Sequence, residues 1–537
     1  MWLLSIVTCV VLALLFDPVM LTTDTAQHIS VARNLAAGHG MVTDLLYFEQ
    51  QQVFGSTPAP QTVWPPLFPL LTAGAAVFMD ETRAVFCVAA LAHAFVAPLL
   101  YATVRKVGYS AGIAFASGLV YLAFGTSSML VLGGLTESLF TLLTVCSLLS
   151  WVFAETRTGG ERTRALIATG LFAALAYLTR YSGICLVAAL GLIAGLRWLR
   201  APGWRLFLDV LKVALLPSVV VGLMLVRNYV FTGSASGGPA VSFDLPVVDT
   251  LRTYYWSVAK LFGFDASSKV QLLVLPAVLA LGGIALARLV AAFAAHRQLV
   301  RAPLDPADQP RRAALALVTT YTALSLVLIT LLAVTRYPEF VNDRYLVPLW
   351  PFGVLVFLFA LPPGTPWIGA KLRRMAGPVF ALVAALLLVG QGAVVARELS
   401  WYDGDQRIPS IRAALAEPLA APVGDARTVG ELLAQAANAE SPLIETNGQY
   451  LGMLLRRPVV GMGETRFTKR VWDEAAVRSL ARQFNVRYVV FFPTLFDPSA
   501  IENRNRVFSA ALHRGSVPPW LEPVHLSPRV QVYRIKP

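Results

Sequence analysis

The segment LTESLFTLLTVCSLLSWVFAETRTGGERTRALIATGLFAALAYLTRYSG, residues 135–183, shows the pattern from which the class of fold can be predicted. Two apolar runs, 136–154 and 165–179, lie on either side of a short basic loop, 157–164. As helices, these runs approach the length that crosses about 30 Å of hydrocarbon. The stretch therefore predicts a helical hairpin that crosses a membrane twice.

Comparable apolar runs lie on both sides of this hairpin. Of the 537 residues, 56% are hydrophobic and only 14% are charged, more apolar surface than one soluble core can bury. We therefore predict an all-α polytopic membrane protein with about eleven transmembrane helices. The predicted spans are 2–21, 84–104, 110–127, 136–154, 165–179, 182–197, 206–226, 270–294, 313–334, 344–361 and 377–396.

Lysine and arginine are concentrated in alternate loops of this scheme. The basic loops are Arg105–Lys106, Arg157–Arg164, Arg197–Arg205, Arg297–Arg312 and Lys371–Arg374. Because short cytoplasmic loops collect positive charge, the pattern places the N-terminus in the cytoplasm. The segments predicted to lie outside are 22–83, 128–135, 228–269, 335–343 and the tail from about 397. The first run, MWLLSIVTCVVLALLF, lacks the basic start and cleavage site of a secretory signal, so we interpret it as a retained span.

The net charge of +13 follows these loops and does not indicate a nucleic-acid-binding face. The localisation predicted from this scheme is a multi-pass protein of the cell membrane, either an inner or a plasma membrane.

The first outer loop is predicted to be structured. The apolar run Trp64–Met79 would invert every later loop if it crossed the membrane, so we interpret it as an interfacial or re-entrant helix. The mixed pattern of Asp24–Ala37 is typical of a helix on the membrane surface.

The composition becomes that of a soluble protein after Arg397. Strand-like runs at Arg457–Met462, Val486–Phe492 and Val530–Ile535 alternate with a helical pattern around Asp473–Phe484. We therefore predict a transmembrane domain over 1–396 and a small extracytoplasmic α/β domain over 397–537.

Asp24 and Glu137 are the candidate catalytic residues, because a carboxylate fixed at the membrane surface can serve as a general base. Each also has a structural interpretation, since both open a predicted helix, where free N–H groups and the helix dipole favour a carboxylate. His28 lies four residues after Asp24 on the same helix face, and is either a substrate-binding or a structural histidine.

Arg180, Arg227 and Arg344 stand at span ends on the side where positive charge is scarce, so topology does not explain them. Arginine matches phosphate oxygens in a bidentate manner, which predicts an anion site. The alternative is that these side chains extend to lipid headgroups. The candidate substrate-binding set is completed by Tyr181, Asn228 and Tyr345.

Soluble nucleotide chemistry has no support in the sequence, which contains no P-loop, dinucleotide glycine fingerprint or spaced Cys/His metal set. The four cysteines lie in or beside apolar segments, so no disulfide framework is expected. No residue spacing demands a cofactor. A divalent cation held by Asp24 and Asp44 is left open.

Six segments resemble, in order, motifs of the GT-C glycosyltransferases. These polyprenyl-phosphate-sugar-dependent enzymes include protein O-mannosyltransferases and the aminoarabinose transferase of lipid A. The segments are TTDTAQHISVARNLAAGHG (22–40), WPPLFPLL (64–71), LTESLFTLL (135–143), YLTRYSG (177–183), VRNYVFTG (226–233) and NDRYLVPLWPF (342–352).

The resemblance implies a GT-C-like fold and an inverting transfer of sugar from a polyprenyl-phosphate donor. It also implies that Asp24 activates or positions the acceptor and that the arginines bind the donor phosphate. Protein O-mannosyltransferases carry an Asp-Glu pair in the first loop, whereas Thr25 follows Asp24 here. Relatives that act on lipid-linked or cell-envelope glycans therefore fit better, with a glycan, lipid or protein as the acceptor.

Other classes also contain polytopic proteins with buried charges. A transporter or flippase of lipid-linked sugars is one alternative, although no inverted repeat is present. A ligase or polymerase that uses a lipid-diphosphate donor is another, and a GT-C-like subunit without activity is a third.

Overall fold

The structure is a computed structural model of the full chain. It describes residues 1–15, 22–122, 125–235, 308–335, 343–360, 441–446, 448–462, 470–499 and 505–536, with the single residues 237, 248, 257 and 503.

The described part of the chain is mostly helical. Its helices are α1 (Trp2–Leu15), α2 (Thr23–Ala36), α3 (Glu49–Gln52), α4 (Leu67–Ala75), α5 (Glu81–Val107), α6 (Ala111–Leu122), α7 (Gly125–Leu132), α8 (Glu137–Glu155), α9 (Gly159–Thr179), α10 (Ile184–Arg200), α11 (Trp204–Thr232), α12 (Gln309–Thr335), α13 (Asp343–Leu346), α14 (Trp350–Phe359), α15 (Tyr450–Leu455), α16 (Glu474–Gln483) and α17 (Val507–His513). Its strands are β1 (Val42–Thr43), β2 (Leu45–Leu46), β3 (Ala59–Pro60), β4 (Leu443–Glu445), β5 (Val459–Gly461), β6 (Tyr488–Phe491), β7 (Leu521–Leu526) and β8 (Gln531–Ile535).

Five described helices are long and apolar enough to cross a membrane. They are Glu81–Val107, Glu137–Glu155, Tyr181–Arg200, Trp204–Thr232 and Gln309–Ala333. Three shorter apolar helices lie at Trp2–Leu14, Ala111–Leu122 and Arg344–Phe359. The predicted spans 270–294 and 377–396 lie outside the described residues, so the number of about eleven remains a prediction.

Two predicted segments differ from the structure. Most of the predicted loop 128–135 is helical, because α7 continues to Leu132. The predicted span 344–361 is interrupted by a 3₁₀ turn, Val347–Leu349. Pro348 in this turn has no N–H to donate to a continuous α-helix.

The chain forms two compact units. The first comprises Met1–Phe16, Phe86–Met224 and Ser242–Leu399. In its described part, α8 and α9 pack along their lengths, and the Ser147 hydroxyl donates to the Thr169 carbonyl at 3.0 Å. A Cβ on Gly170 would lie 2.6 Å from the Val213 carbonyl oxygen, so α9 and α11 approach closely there. Small residues at such crossings are typical of membrane helices.

Glu155, at the C-terminal end of α8, forms a buried ion pair in this first unit. Its carboxylate accepts from the Arg197 guanidinium and from the Gln309 amide. The Glu155 side chain is 1% exposed and that of Arg197 is 33% exposed. Because both carboxylate oxygens are hydrogen-bonded, the charge is accommodated inside the fold.

The second unit comprises Asp17–Val85, Leu225–Val241 and Ser400–Pro537. Its main sheet has the strand order β2-β5-β4-β6-β8-β7, with parallel pairing from β2 to β6 and antiparallel pairing from β6 to β7. The three strand-like runs and the helix predicted in the tail correspond to β5, β6, β8 and α16. β2 comes from the segment 22–83, predicted above as the first outer loop, which therefore contributes a strand to the sheet of the tail.

α2 occupies the segment in which a helix was predicted, but most of its surface is buried. Buried polar side chains on it include Gln27, Ser30 and Asn34. Ser30 accepts from the Asp44 N–H at 3.0 Å, and its hydroxyl lies 3.1 Å from the Thr43 hydroxyl, so these groups are paired inside the unit. A helix that only rests on a membrane surface would expose its polar face, and α2 does not.

α4 covers only nine residues of the predicted interfacial segment Trp64–Met79. Nine residues are too few to cross the hydrocarbon core as a helix. Its Phe68 is fully buried, whereas Leu70 and Leu71 are exposed. The interpretation of this segment as a helix that does not span the membrane agrees with its length.

Glu445 is a buried carboxyl group at the end of β4. Oε2 accepts from the Leu451 N–H at 2.8 Å, while Oε1 has no hydrogen-bond partner among the described residues. Burial raises the pKa of Glu445 from an ordinary 4.5 to about 8. The neutral carboxyl is therefore the form that suits the folded unit at neutral pH.

We predict that the stability of the second unit falls as pH rises. Above pH 4.5 the unfolded chain loses the Glu445 proton, whereas the folded chain keeps it up to about pH 8. The free energy of unfolding therefore decreases across that window and levels off above it. Glu445→Gln should remove this dependence and stabilise the protein at pH 8 by on the order of 3 kcal/mol. Thermal unfolding followed by tryptophan fluorescence measures it.

Glu522 provides the matched control, because it is exposed on β7 and pairs with Arg534 at 2.7 Å. Glu522→Gln should leave the pH dependence intact and change stability by less than about 0.5 kcal/mol. Unchanged pH dependence in Glu445→Gln would show that another group is responsible.

Candidate functional site

Asp24 lies in the first turn of α2 and is partly exposed. Thr22 caps the helix, since its hydroxyl accepts from the Thr25 N–H at 3.3 Å. The cap fixes where the helix begins and hence where the Asp24 carboxylate lies. Its predicted position at a helix start is therefore observed.

His28 is buried at 1% exposure, one turn after Asp24. Its ring makes edge-on contacts with Trp64, at 5.7 Å between centroids, and with Phe68, at 5.1 Å. These contacts place His28 in the packing between α2 and the segment that leads into α4. Both are packing contacts, and the substrate-binding role of His28 stays a prediction.

Arg227 and Asn228 lie near the end of α11 in the second unit. The Arg227 guanidinium donates to the Gln61 carbonyl at 2.9 Å and lies over the Phe231 ring. Asn228 is buried and accepts from Arg227 at 3.3 Å. Arg227 is thus held against the first outer loop by a main-chain contact.

Glu137, Arg180 and Arg344 form an ion cluster in the first unit. One carboxylate oxygen of Glu137, Oε1, accepts from Arg180 Nη1 at 2.6 Å and from Arg344 Nε at 2.6 Å. Arg180 Nη1 also donates to the Thr136 hydroxyl at 2.9 Å. The sequence placed all three residues in the candidate site, and the structure brings them together.

The charges in this cluster are unequal. Two guanidinium groups share one carboxylate, which leaves a net charge of +1. The Glu137 side chain is 1% exposed, whereas those of Arg180 and Arg344 are 14% and 22% exposed. The negative charge is therefore buried beneath two cations that remain accessible. Such an arrangement suits an anion with several oxygens, because guanidinium groups bind phosphate in a bidentate manner.

Tyr345 and Tyr181 lie beside these arginines in sequence. The Arg180 guanidinium lies 5.4 Å from the Tyr345 ring centroid, and that of Arg344 lies 6.0 Å from it. Contacts of this kind restrict the cations and stabilise their charge. The Tyr181 ring lies 5.7 Å from the Tyr177 ring, between centroids.

A sharp change of backbone direction presents Arg180. α9 ends at Thr179, Arg180 is extended, and a 3₁₀ turn, Tyr181–Gly183, leads into α10. A Cβ on Gly183 would lie 2.6 Å from both the Tyr177 N and Cα atoms. Only glycine fits at this crossing, so Gly183 sets the geometry of the Arg180 segment.

We predict that Gly183→Ala destabilises the protein and weakens anion binding by displacing Arg180. Overpacking of this kind costs about 1–3 kcal/mol or more. Gly191→Ala, in the adjoining helix α10, is the control, because its Cβ would meet nothing within 4 Å. Thermal unfolding and polyprenyl-phosphate binding measure the two effects. Equal behaviour of the two variants would contradict the role given to Gly183.

Asp44, the second residue considered for a metal, is already engaged. Its carboxylate accepts from the Asn34 amide at 2.7 Å. Among the described residues, no group of three or more His, Cys, Asp or Glu side chains could hold a metal ion.

Some neighbours of the candidate residues had no individual signal in the sequence. Thr136 was inside a recognised motif but is a common helix-start residue. Gln27 and Gln449 are uncharged and 422 positions apart, yet their side chains are hydrogen-bonded to each other. The sequence signal that could have indicated a buried amide cluster is the recurrence of glutamine at Gln27, Gln51, Gln52 and Gln61.

The comparisons agree with the sequence motifs. A family model described as dolichyl-phosphate-mannose-protein mannosyltransferase matches residues 63–228, which include Glu137, Arg180 and Arg227. No curated protein matches the chain in sequence.

Among the solved structures similar to this chain are two of one protein, matched over nearly the full length of the chain. ArnT from Cupriavidus metallidurans bound to undecaprenyl phosphate is 16% identical with a TM-score of 0.55, over 99% of this chain and 97% of that chain. The same protein in the apo state is 17% identical with a TM-score of 0.50, over 98% and 97%. The recognition of a GT-C fold from the sequence is thereby confirmed.

Proposed function

We propose that this chain is a glycosyltransferase that moves a sugar from a polyprenyl-phosphate donor to a hydroxyl group of a cell-envelope acceptor. The observation that carries the proposal is the Glu137, Arg180 and Arg344 cluster. It combines a net positive charge with two partly exposed guanidinium groups, in a chain with several helices of membrane-spanning length. A lipid-linked phosphate is an anion that reaches such a place from within the bilayer.

The cluster is suited to stabilise the negative charge that develops on the donor phosphate during the reaction. When the bond between the sugar C1 and the phosphate oxygen breaks, its electron pair stays on the phosphate, and negative charge develops there. Preorganised cations stabilise that charge more in the transition state than in the bound donor. Arg180 and Arg344 are the proposed groups, and Glu137 holds them in place.

Glu137 is therefore proposed to position the arginines. Its buried Oε1 already receives two short charge-assisted bonds, which a carboxylate that must take a proton in catalysis would not favour. Among the two candidate catalytic residues, Asp24 is left as the general base.

Asp24 is proposed to accept the proton of the acceptor hydroxyl. As the proton moves to the carboxylate, the acceptor oxygen forms a bond to C1, and the polyprenyl phosphate leaves from the opposite face. A single displacement of this kind inverts the anomeric configuration. The acceptor is proposed to be a glycan, a lipid or a protein. A divalent cation, if bound, would stabilise the charge on the donor phosphate together with the arginines.

The distribution of lysine and arginine supports a membrane orientation in which the reaction takes place on the outer side. Basic loops fall on one side of the predicted spans, so we propose a cytoplasmic N-terminus with Asp24 and the tail from about 397 on the outer side of the cell membrane.

Turnover with defined donors tests the proposal. The protein in nanodiscs is mixed with undecaprenyl phosphate carrying mannose, glucose or arabinose, one sugar at a time, and with a membrane extract as the acceptor source. Release of free undecaprenyl phosphate together with transfer of the sugar label is expected for one donor. The proposal fails if no donor binds and none is consumed.

A further inference from the structure

A buried chain of side-chain amides runs through the second unit and ends beside Asp24. Gln27, on α2, lies at its centre. Its Nε2 donates to the Leu45 carbonyl at 2.7 Å and to Gln449 Oε1, and its Oε1 accepts from Thr43, Gln51 and Gln61. Gln27, Gln51 and Gln449 are all 0% exposed.

The donor and the acceptor of each hydrogen bond from Gln51 through Gln27 to Gln449 can be assigned. Gln51 Oε1 accepts from the N–H groups of Tyr47 and Phe48, so its Nε2 must be the donor to Gln27. Gln27 must then donate to Gln449, whose Oε1 is the acceptor. The Gln449 Nε2 is left to donate, and it does so to the Thr23 carbonyl at 2.7 Å.

This last bond restrains the peptide that links Thr23 to Asp24. The Tyr450 hydroxyl also lies 3.4 Å from the Thr23 hydroxyl. At the other end of α2, Arg33 donates to the Met453 carbonyl at 2.9 Å. The segment Gln449–Met453 of the tail therefore contacts α2 at both ends.

We propose that Gln449 is a positioning residue for Asp24, so that the C-terminal tail takes a direct part in setting the general base. The inference rests on the proposed function. Misplacement of a catalytic group by about 1 Å can lower a rate about 100-fold. A directional amide chain, all of whose members are paired, fixes a geometry of this kind more strictly than apolar packing does.

Two substitutions remove the bond while nearly keeping the side-chain volume. Gln449→Glu places an acceptor against the Thr23 carbonyl, and Gln449→Met offers no hydrogen bond at all. Both are expected to lower kcat for sugar transfer 10- to 100-fold while the KM for the donor changes less than about 3-fold.

Gln52 provides the matched control. It is a buried amide of the same unit that donates to the Leu46 carbonyl at 3.1 Å and to the Gly461 carbonyl at 2.8 Å, both in the main sheet. Gln52→Glu should lower the unfolding temperature about as much as Gln449→Glu does. Its kcat per folded molecule should remain that of the wild type.

These measurements distinguish a failure of the role proposed for Gln449 from a failure of the proposed glycosyltransferase function. If the wild type transfers sugar and the Gln449 variants lose only folded protein, with kcat per folded molecule unchanged, Gln449 is structural and the inference is overturned. If the wild type transfers no sugar from any polyprenyl-phosphate donor, the proposed function itself fails, and the inference fails with it. Reduced kcat in the Gln449 variants alone, with wild-type KM, supports it.

Discussion

Asp24→Asn is expected to lower the rate of sugar transfer 10²- to 10⁴-fold while the protein still binds its donor. The amide keeps the size of the carboxylate but cannot accept the proton of the acceptor hydroxyl. Since Asp24 is partly exposed and in the first turn of α2, the change should alter stability little. Steady-state transfer and donor binding, measured on the same preparation, give the two quantities.

Asp80 is the matched control for Asp24. It precedes α5 and accepts from the Arg83 N–H at 2.9 Å, a role that asparagine can also fill. Asp80→Asn should keep the wild-type rate. Equal transfer rates for wild type and Asp24→Asn would remove Asp24 from the mechanism.

Arg180→Gln is expected to weaken binding of the donor and of free polyprenyl phosphate about 10- to 100-fold. A hydrogen bond to a charged group contributes about 1.5–3 kcal/mol, and each 1.4 kcal/mol is a factor of ten in affinity. The loss also leaves the buried Glu137 with a single arginine. Removing one partner of a buried ion pair costs about 3–5 kcal/mol of stability.

Arg197→Gln separates these two effects. Arg197 pairs with Glu155, which is as buried as Glu137 but lies at the opposite end of α8. This variant should lose stability to a similar degree and bind polyprenyl phosphate as the wild type does. If Arg197→Gln and Arg180→Gln weaken binding equally, the Glu137 cluster is only a structural ion pair.

Hydropathy predicted much of the first unit because lipid demands long apolar helices. The span predicted over 136–154 coincides closely with α8, and the run 206–226 lies inside α11. Hydropathy could not show the 3₁₀ turn Val347–Leu349 inside the predicted span 344–361, because apolar residues continue through it.

The tail illustrates a second limit. β5, β6 and β8 could be predicted because each alternates or clusters β-branched and aromatic residues. β2 has only two residues, Leu45 and Leu46, and its partner β5 is about 400 positions away in sequence. No local pattern identifies a strand that short, so the contribution of the first outer loop to the sheet was not foreseen.

The candidate site likewise combines features that the sequence reveals with features that depend on the fold. Glu137 and the arginines were recognisable individually, because charges at span ends are uncommon. The way they meet could not be predicted from the sequence, because Arg180 and Arg344 lie 43 and 207 positions from Glu137. The role of Gln449 was hidden for a further reason. A neutral amide carries no charge signal, and its importance depends on which partners the fold brings to it.

The most direct test of the central claim is the fate of labelled donor in proteoliposomes that contain the wild-type protein. Undecaprenyl-monophosphate and undecaprenyl-diphosphate sugars, labelled in the sugar, are supplied separately with a membrane extract as acceptor. The proposed mechanism predicts that only the monophosphate donor is consumed, that free undecaprenyl phosphate appears in step with labelled acceptor, and that Asp24→Asn lowers both rates 10²- to 10⁴-fold. Consumption of the diphosphate donor alone, or movement of intact donor between leaflets without cleavage, would contradict it.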